Sequence, residues 1–222
     1  MQIRSFIIAY ALVLAILLFA DRRPGSAQQD RYSHVVDLTE GQNPPTLQTS
    51  AAESRTHIIA PGALIPGTWT AGQIPPERLV APLVVIDLNA KPESQQISLD
   101  DIAVWESHHG MIPQGAVVAI RRENTFQTQF SSDQPNRPLP IDRDAAQFLI
   151  DARYTIGFAV ENSVNFASDR ALARQIALHG SYVVEGAARF TSLPATGSLI
   201  IIAPAKNKKP GEVPVRVLAM VR

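Results

Sequence analysis

Six apolar runs dominate the chain from residue 81 onward, and helical periodicities lie between them. "APLVVIDL" (81–88) is continuously apolar, the pattern of a strand buried on both faces. "GAVVAIR" (115–121), "YTIGFAV" (154–160), 181–185 and 198–203 repeat it, and "VPVRVLAMV" (213–221) closes the chain. Between them, Ser98 and Asp101 form a capping box that opens a helix over 98–109, with Gly110 as its stop. Asp142 caps a second helix to 153. Its Ala145, Phe148, Leu149 and Ala152 recur at i, i+3, i+4, i+7 and predict one apolar face. "SDRALARQIALHG" predicts a third helix over 169–179. Strands alternating with helices predict a single α/β domain around a mixed β-sheet with flanking helices. Leu83, Val85, Val117, Ile156, Val183 and Ile200 are the expected core.

Before residue 81 the pattern is looser. "HVVDLT" (34–39) and "THIIA" (56–60) predict short strands. Asn-Pro-Pro marks a loop between them, and a Pro/Gly-rich connection runs on through Trp69. At the N-terminus, "MQIR" carries positive charge, and an uncharged apolar run ends at Ala20. Gly25 and Ala27 stand at the −3 and −1 positions of a cleavage site. Residues 1–27 therefore read as a signal peptide, and 28–222 as the mature domain of a secreted or periplasmic protein. Asp21 to Arg23 are unusual before a cleavage point, and an uncleaved anchor is the competing reading. Cleavage implies no stable membrane association of the mature domain.

The charge balance, 20 basic against 20 acidic residues, supplies no field that would attract nucleic acid. The absence of cysteine excludes disulfides, thiolate catalysis and cysteine metal sites. Candidate chemistry is left to five histidines and the carboxylates. His108, His109 and His179 fall at helix C-termini, where a partial cation suits the helix dipole. His57 starts a short strand, as either a ligand or a hydrogen-bonded structural residue. Glu185 ends a buried strand, where carboxylates need a partner and where α/β sites assemble; a surface loop carboxylate is the alternative. Glu161 raises the same question more weakly. No nucleophile-elbow pattern occurs.

Several segments together resemble the cyclase family of metal-dependent hydrolases, which includes kynurenine formamidase. "IPPERLVAPLVVIDL" (74–88) is close to the family's "IP-x-E-x-LVGP-x-VVID". "ISLDDIAVWESHHGMIPQGAVVAIR" (97–121) matches the helix, turn and strand that follow. "HGSYVVEG" (179–186) resembles "G-I-x-I-x-E-N", and "GEVPVRVLAMV" (211–221) resembles "G-S-P-V-R-A-V-A". The order and spacing of these segments carry the resemblance over residues 33–222.

The family signature, His-x-Gly-Thr-His-x-Asp-x-Pro-x-His, supplies metal ligands and a base. It aligns here through Thr56, His57 and Pro61. Its first His falls on Glu53, its Gly on Arg55, its Asp on Ile59 and its last His on Ala63. A later metal-binding His falls on Ala173, and the family's Ser-x-Asp becomes Ser163, Val164, Asn165. The resemblance thus leaves His57 and Glu185 as matching ligands, with Glu53 as a chemically plausible replacement. Catalytic zinc takes about three protein ligands plus a water. Two hypotheses follow. One is a catalytically degenerate binding or structural module with no tightly bound metal. The other is an arylformamidase-like amide or ester hydrolase holding zinc or manganese on Glu53, His57 and Glu185. Either is compatible with a small-molecule ligand and a homo-oligomer. His57 and Glu185 are expected to face a cleft with the 62–76 loop as its wall, a loop that could present the aromatic Trp69 to a ligand.

Overall fold

Valine, isoleucine and alanine fill the strands, and their alternation sorts side chains into two apolar layers. The computed structural model describes residues 32–40, 56–88, 96–122, 138–161, 164, 166, 169–206 and 209–222. The proposed signal segment 1–27 and Glu53 lie outside them. The strands are β1 (His34–Asp37), β2 (His57–Ile59), β3 (Val80–Asp87), β4 (Val117–Arg121), β5 (Gly157–Val160), β6 (Tyr182–Glu185), β7 (Ser198–Pro204) and β8 (Glu212–Val221). The helices are α1 (Pro61–Leu64), α2 (Leu99–His109), α3 (Arg143–Arg153) and α4 (Arg170–Leu178). Among the described residues no helix is long and apolar enough to cross a membrane.

Strands β3, β4, β5 and β6 run parallel, with α2, α3 and α4 in the three crossovers. β7 adds antiparallel to β3, and β8 antiparallel to β7. The other edge of β8 pairs with β1 and with β2, and β2 pairs antiparallel with β6. The mixed sheet therefore closes on itself, as β8-β2-β6-β5-β4-β3-β7-β8. Closure removes the unpaired edges that an open sheet exposes. The α/β class with a mixed sheet agrees with the sequence reading, whereas the closure is additional.

The inner layer holds Leu83, Val85, Val117, Ala119, Tyr182, Val184, Ile200 and alternate residues of β8. The outer layer holds Val84, Ile86, Val118, Ile120, Phe158 and Val183 against Ile102, Leu149, Leu172 and Ile176 of the helices. The run 81–88 is continuously apolar because it feeds both layers. Tyr182 fills the interior beside Gly157, where a Cβ would lie 2.4 Å from the Tyr182 Cε2. All six expected core residues are buried.

The capping predictions hold in detail. Ser98 Oγ accepts from the Asp101 N–H, and the Asp101 carboxylate accepts from the Ser98 N–H at 2.8 Å. Asp142 and Asp169 cap α3 and α4 by accepting the Ala145 and Leu172 N–H groups. The apolar face predicted for α3 needs correction. Its buried residues are Ala145, Ala146, Leu149 and Ile150, and Ala152 is exposed. Phe148 is half-buried, with the Arg153 guanidinium 4.7 Å from its ring centroid. The true stripe is rotated toward Ala146 and Ile150, which pack into the outer layer.

Candidate functional site

β2 lies between β6 and β8, and this places the site. The register sets His57 directly opposite Glu185 on β6 and Pro214 on β8. His57 shares the side of the sheet taken by Ile59, and Glu185 that of Val183, because side chains two apart in a strand share a face. Ile59 and Val183 both belong to the outer, helix-packed layer. His57 and Glu185 therefore project together on that outer side. The His57 Nε2 lies 3.2 Å from the Glu185 Oε2, with side-chain exposures of 8% and 3%. The other oxygen, Oε1, accepts the Val164 N–H at 3.0 Å. The Glu185 carboxylate is thus held between β2 and the segment that follows β5.

A third group was not singled out in the sequence. Glu212, the first residue of β8, places its Oε2 3.7 Å from the same His57 nitrogen. It is half exposed and lies diagonally across the β2–β8 pairing, where Ile59 faces Glu212. Long side chains reach such diagonal partners. Only the strand pairing reveals this relationship, since Glu212 is 155 positions from His57 in the sequence.

On the opposite side of β2, Thr56 fixes the start of the strand. Its hydroxyl donates to the Gly186 carbonyl at 2.7 Å and accepts the Glu40 N–H at 2.6 Å. Asp87 and Arg121 pair across the ends of β3 and β4. Glu161, at the end of β5, accepts the Arg122 N–H at 3.4 Å. The carboxyl ends of the four parallel strands thus carry Asp87, Arg121, Glu161 and Glu185, the edge where open α/β sheets place their ligands.

The remaining candidates separate from this site. His108 and His179 bond the carbonyls of Val104 and Gln175 on their own helices at 2.8 and 2.9 Å. The His109 ring packs against Trp105 at 4.8 Å between centroids. His34 contacts the neighbouring Ser33 hydroxyl. Glu53, Ser163 and Asn165 lie outside the described residues.

Trp69 is not presented at this site. It packs on Gly180, where a Cβ would meet the ring at 2.9 Å, with the Arg78 guanidinium 5.5 Å from its centroid. Arg78 donates to the Gly180 carbonyl, and the Tyr182 hydroxyl donates to the Arg78 carbonyl at 2.7 Å. Gly180 precedes β6 and Glu185 ends it. At roughly 3.3 Å per residue, Trp69 sits about 16 Å along the strand from the carboxylate. The tryptophan packs where Gly180 carries no side chain to push it away. Burial pushes the Tyr182 phenol well above its usual range, with Arg78 pulling weakly the other way.

The donor set does not fit a family-type metal centre. Ile59 and Ala173, standing where the resemblance places ligands, are 4% and 8% exposed and pack as hydrocarbon. Ala63, at the position of the family's last histidine, is exposed and cannot move a proton. Among the described residues no three His, Asp or Glu side chains are grouped so as to hold a metal ion.

Comparison with known proteins agrees with the fold. The sequence model of the Cyclase family matches residues 22–164. An isatin hydrolase of Roseibium aggregatum is 27% identical over 192 residues, covering 76% of this chain and 71% of that protein. The structure of isatin hydrolase A from Labrenzia aggregata, bound to benzyl benzoate, superposes with a TM-score of 0.67 at 25% identity. That match covers 91% of this chain and 98% of the other. A structure described as a potential metal-dependent hydrolase with cyclase activity gives a TM-score of 0.63 at 26% identity, over 85% of this chain and 98% of its own.

Proposed function

This chain belongs to the Cyclase family, and we propose that it is an exported member that has given up hydrolysis and serves as a binding or structural module. The observation that carries this reading is the packing of Ile59 and Ala173. Two positions where the resemblance expects donors are filled by buried hydrocarbon. Isoleucine and alanine give no electron pair to a cation, and a zinc site needs about three protein ligands to hold its water. Without that metal, the metal route to a nucleophilic water at neutral pH is lost.

Export rests on the charged, apolar and small-residue pattern of residues 1–27. N-terminal sequencing of the exported protein should begin at Gln28. Intact Met1 in a membrane fraction would convert the segment to an anchor. The neutral charge balance speaks against nucleic acid as a partner, and a small-molecule ligand and a homo-oligomer are both compatible with this reading.

One observation favours a second reading. His57 and Glu185 approach to 3.2 Å, close enough for two donors to share one ion. With Glu53 they would form a reduced ligand set for zinc or manganese. The substrate would then be an amide or ester, with isatin, the cyclic amide of the relatives, as the first compound to try. A turnover screen with isatin and N-formylkynurenine, in the presence of zinc or manganese, separates the two. The degenerate reading expects no turnover above the metal-only control.

A further inference from the structure

We propose that the turn His179–Ser181, at the opposite end of β6 from Glu185, binds a small aromatic carboxylate, with Arg78 taking the anion and Trp69 the ring. The proposal does not depend on whether the Glu185 end holds a metal.

Unpartnered donors mark the place. Nearly all buried polar atoms in folded proteins find a hydrogen-bond partner, so those that do not call for a reason. Arg78 Nε, Thr155 Oγ1 and Gln175 Nε2 are buried without one. All three residues are tied to this turn. A terminal nitrogen of Arg78 donates to the Gly180 carbonyl at 3.1 Å, and the Ser181 hydroxyl donates to the Thr155 carbonyl at 2.9 Å. The Gln175 carbonyl accepts the His179 N–H at 3.3 Å. A guanidinium nitrogen and an amide NH2 only donate, and a hydroxyl donates as readily as it accepts. What all three can engage is a ligand rich in acceptor oxygens.

Charge narrows that ligand to an anion. Among the described residues Arg121, Arg143, Arg153 and Arg216 each meet a carboxylate, whereas Arg78 meets none. Burial is the strongest influence on the Arg78 guanidinium and lowers its pKa, with Tyr182 and Glu77 acting against it. A half-buried cation of this kind is suited to a carboxylate, which matches the guanidinium fork.

The surroundings supply a seat for an apolar body. Trp69, with the Arg78 guanidinium 5.5 Å from its ring centroid, keeps 38% of its surface exposed. Leu178, two residues before Gly180, and Tyr154, next to Thr155, are exposed as well. Tyr154 holds a φ of 52° at the end of α3, a left-handed position ordinarily given to glycine or asparagine. Keeping an exposed aromatic there costs backbone strain, which accumulates at functional positions. A few polar groups within an apolar surround is the make-up of a small-molecule site. Inorganic phosphate would leave the apolar side chains in water.

Calorimetric titration of the full chain with benzoate, in the presence of EDTA, tests this. The chelator removes any metal that a carboxylate would otherwise bind. Benzoate should bind at millimolar concentrations or below. Benzamide, its neutral counterpart, and inorganic phosphate should bind at least roughly tenfold more weakly. Arg78→Gln should weaken benzoate by roughly tenfold or more, and Gln175→Leu should weaken it less. In NMR spectra of the wild type, benzoate should shift the Gly180 and Ser181 amides and the Trp69 indole N–H. The Trp105 indole, bonded to the Val85 carbonyl at 3.0 Å, should stay in place. No binding, equal binding of benzamide or phosphate, or benzoate binding undiminished in either variant would overturn the proposal. So would shifts confined to the Glu185 end of β6. Should Arg78→Gln fail to fold, the wild-type NMR map decides.

Discussion

The Tyr182 ring occupies the volume that Gly157 leaves by having no side chain. The two face each other across β5 and β6, and a Cβ on Gly157 would fall 2.4 Å from the ring. The ring cannot easily retreat, because its hydroxyl is bonded to the Arg78 carbonyl at 2.7 Å. Gly157→Ala should therefore destabilise the fold by about 1–3 kcal/mol through overpacking. Urea melts check this. Pairing Gly157→Ala with Tyr182→Leu should cost less than the sum of the single changes. A neutral Gly157→Ala would show that the interior is looser than the register implies.

Glu106 and Arg153 join α2 to the end of α3 and give the fold an acid-sensitive element. Two guanidinium nitrogens meet the carboxylate at 2.7 and 2.8 Å, and the Ile112 N–H adds a bond at 2.9 Å. The Arg153 hydrogen bonds outweigh burial and hold the Glu106 carboxyl below its ordinary value of 4.5. A depressed folded-state value means the stabilisation is fully present above the unfolded value. It is lost as pH falls through the folded one. Glu106→Gln should cost about 1.5–3 kcal/mol at neutral pH. Its deficit against wild type should shrink once pH drops below 4.5. A deficit independent of pH would mean the carboxylate charge is not what matters.

Ile200 tests the inner layer. It is fully buried on β7, opposite Ala81 and Ala219 on the flanking strands. Small alanines on both sides leave its side chain to fill the gap, so Ile200→Ala should cost roughly 2–5 kcal/mol. An unchanged melting curve would remove Ile200 from the core.

Much of this architecture is legible in one dimension because local rules dominate it. The run 81–88 reads as a doubly buried strand since both of its faces meet apolar layers. Ser98, Asp142 and Asp169 announce helix starts through bonds spanning three residues, which spacing alone reveals. The buried face of α3 is less accessible. Periodicity admits two neighbouring stripes, and packing chose the one through Ala146. The site divides along the same line. His57 at a strand start and Glu185 at the end of a buried strand stand out by position and by the family resemblance, and strand register brings them together. Glu212 and the Trp69–Gly180 contact depend on which strands pair and where loops return, and no local pattern encodes either. Closure of the sheet through the two edges of β8 is non-local for the same reason.

The central claim is that this site no longer works as a metal hydrolase. The most direct measurement is elemental analysis and turnover of wild type beside His57→Ala, on protein purified without added metal. The account predicts no stoichiometric zinc or manganese and negligible amide hydrolysis in either protein. Stoichiometric metal and turnover in the wild type, both lost in His57→Ala, would contradict it and establish the reduced-ligand hydrolase.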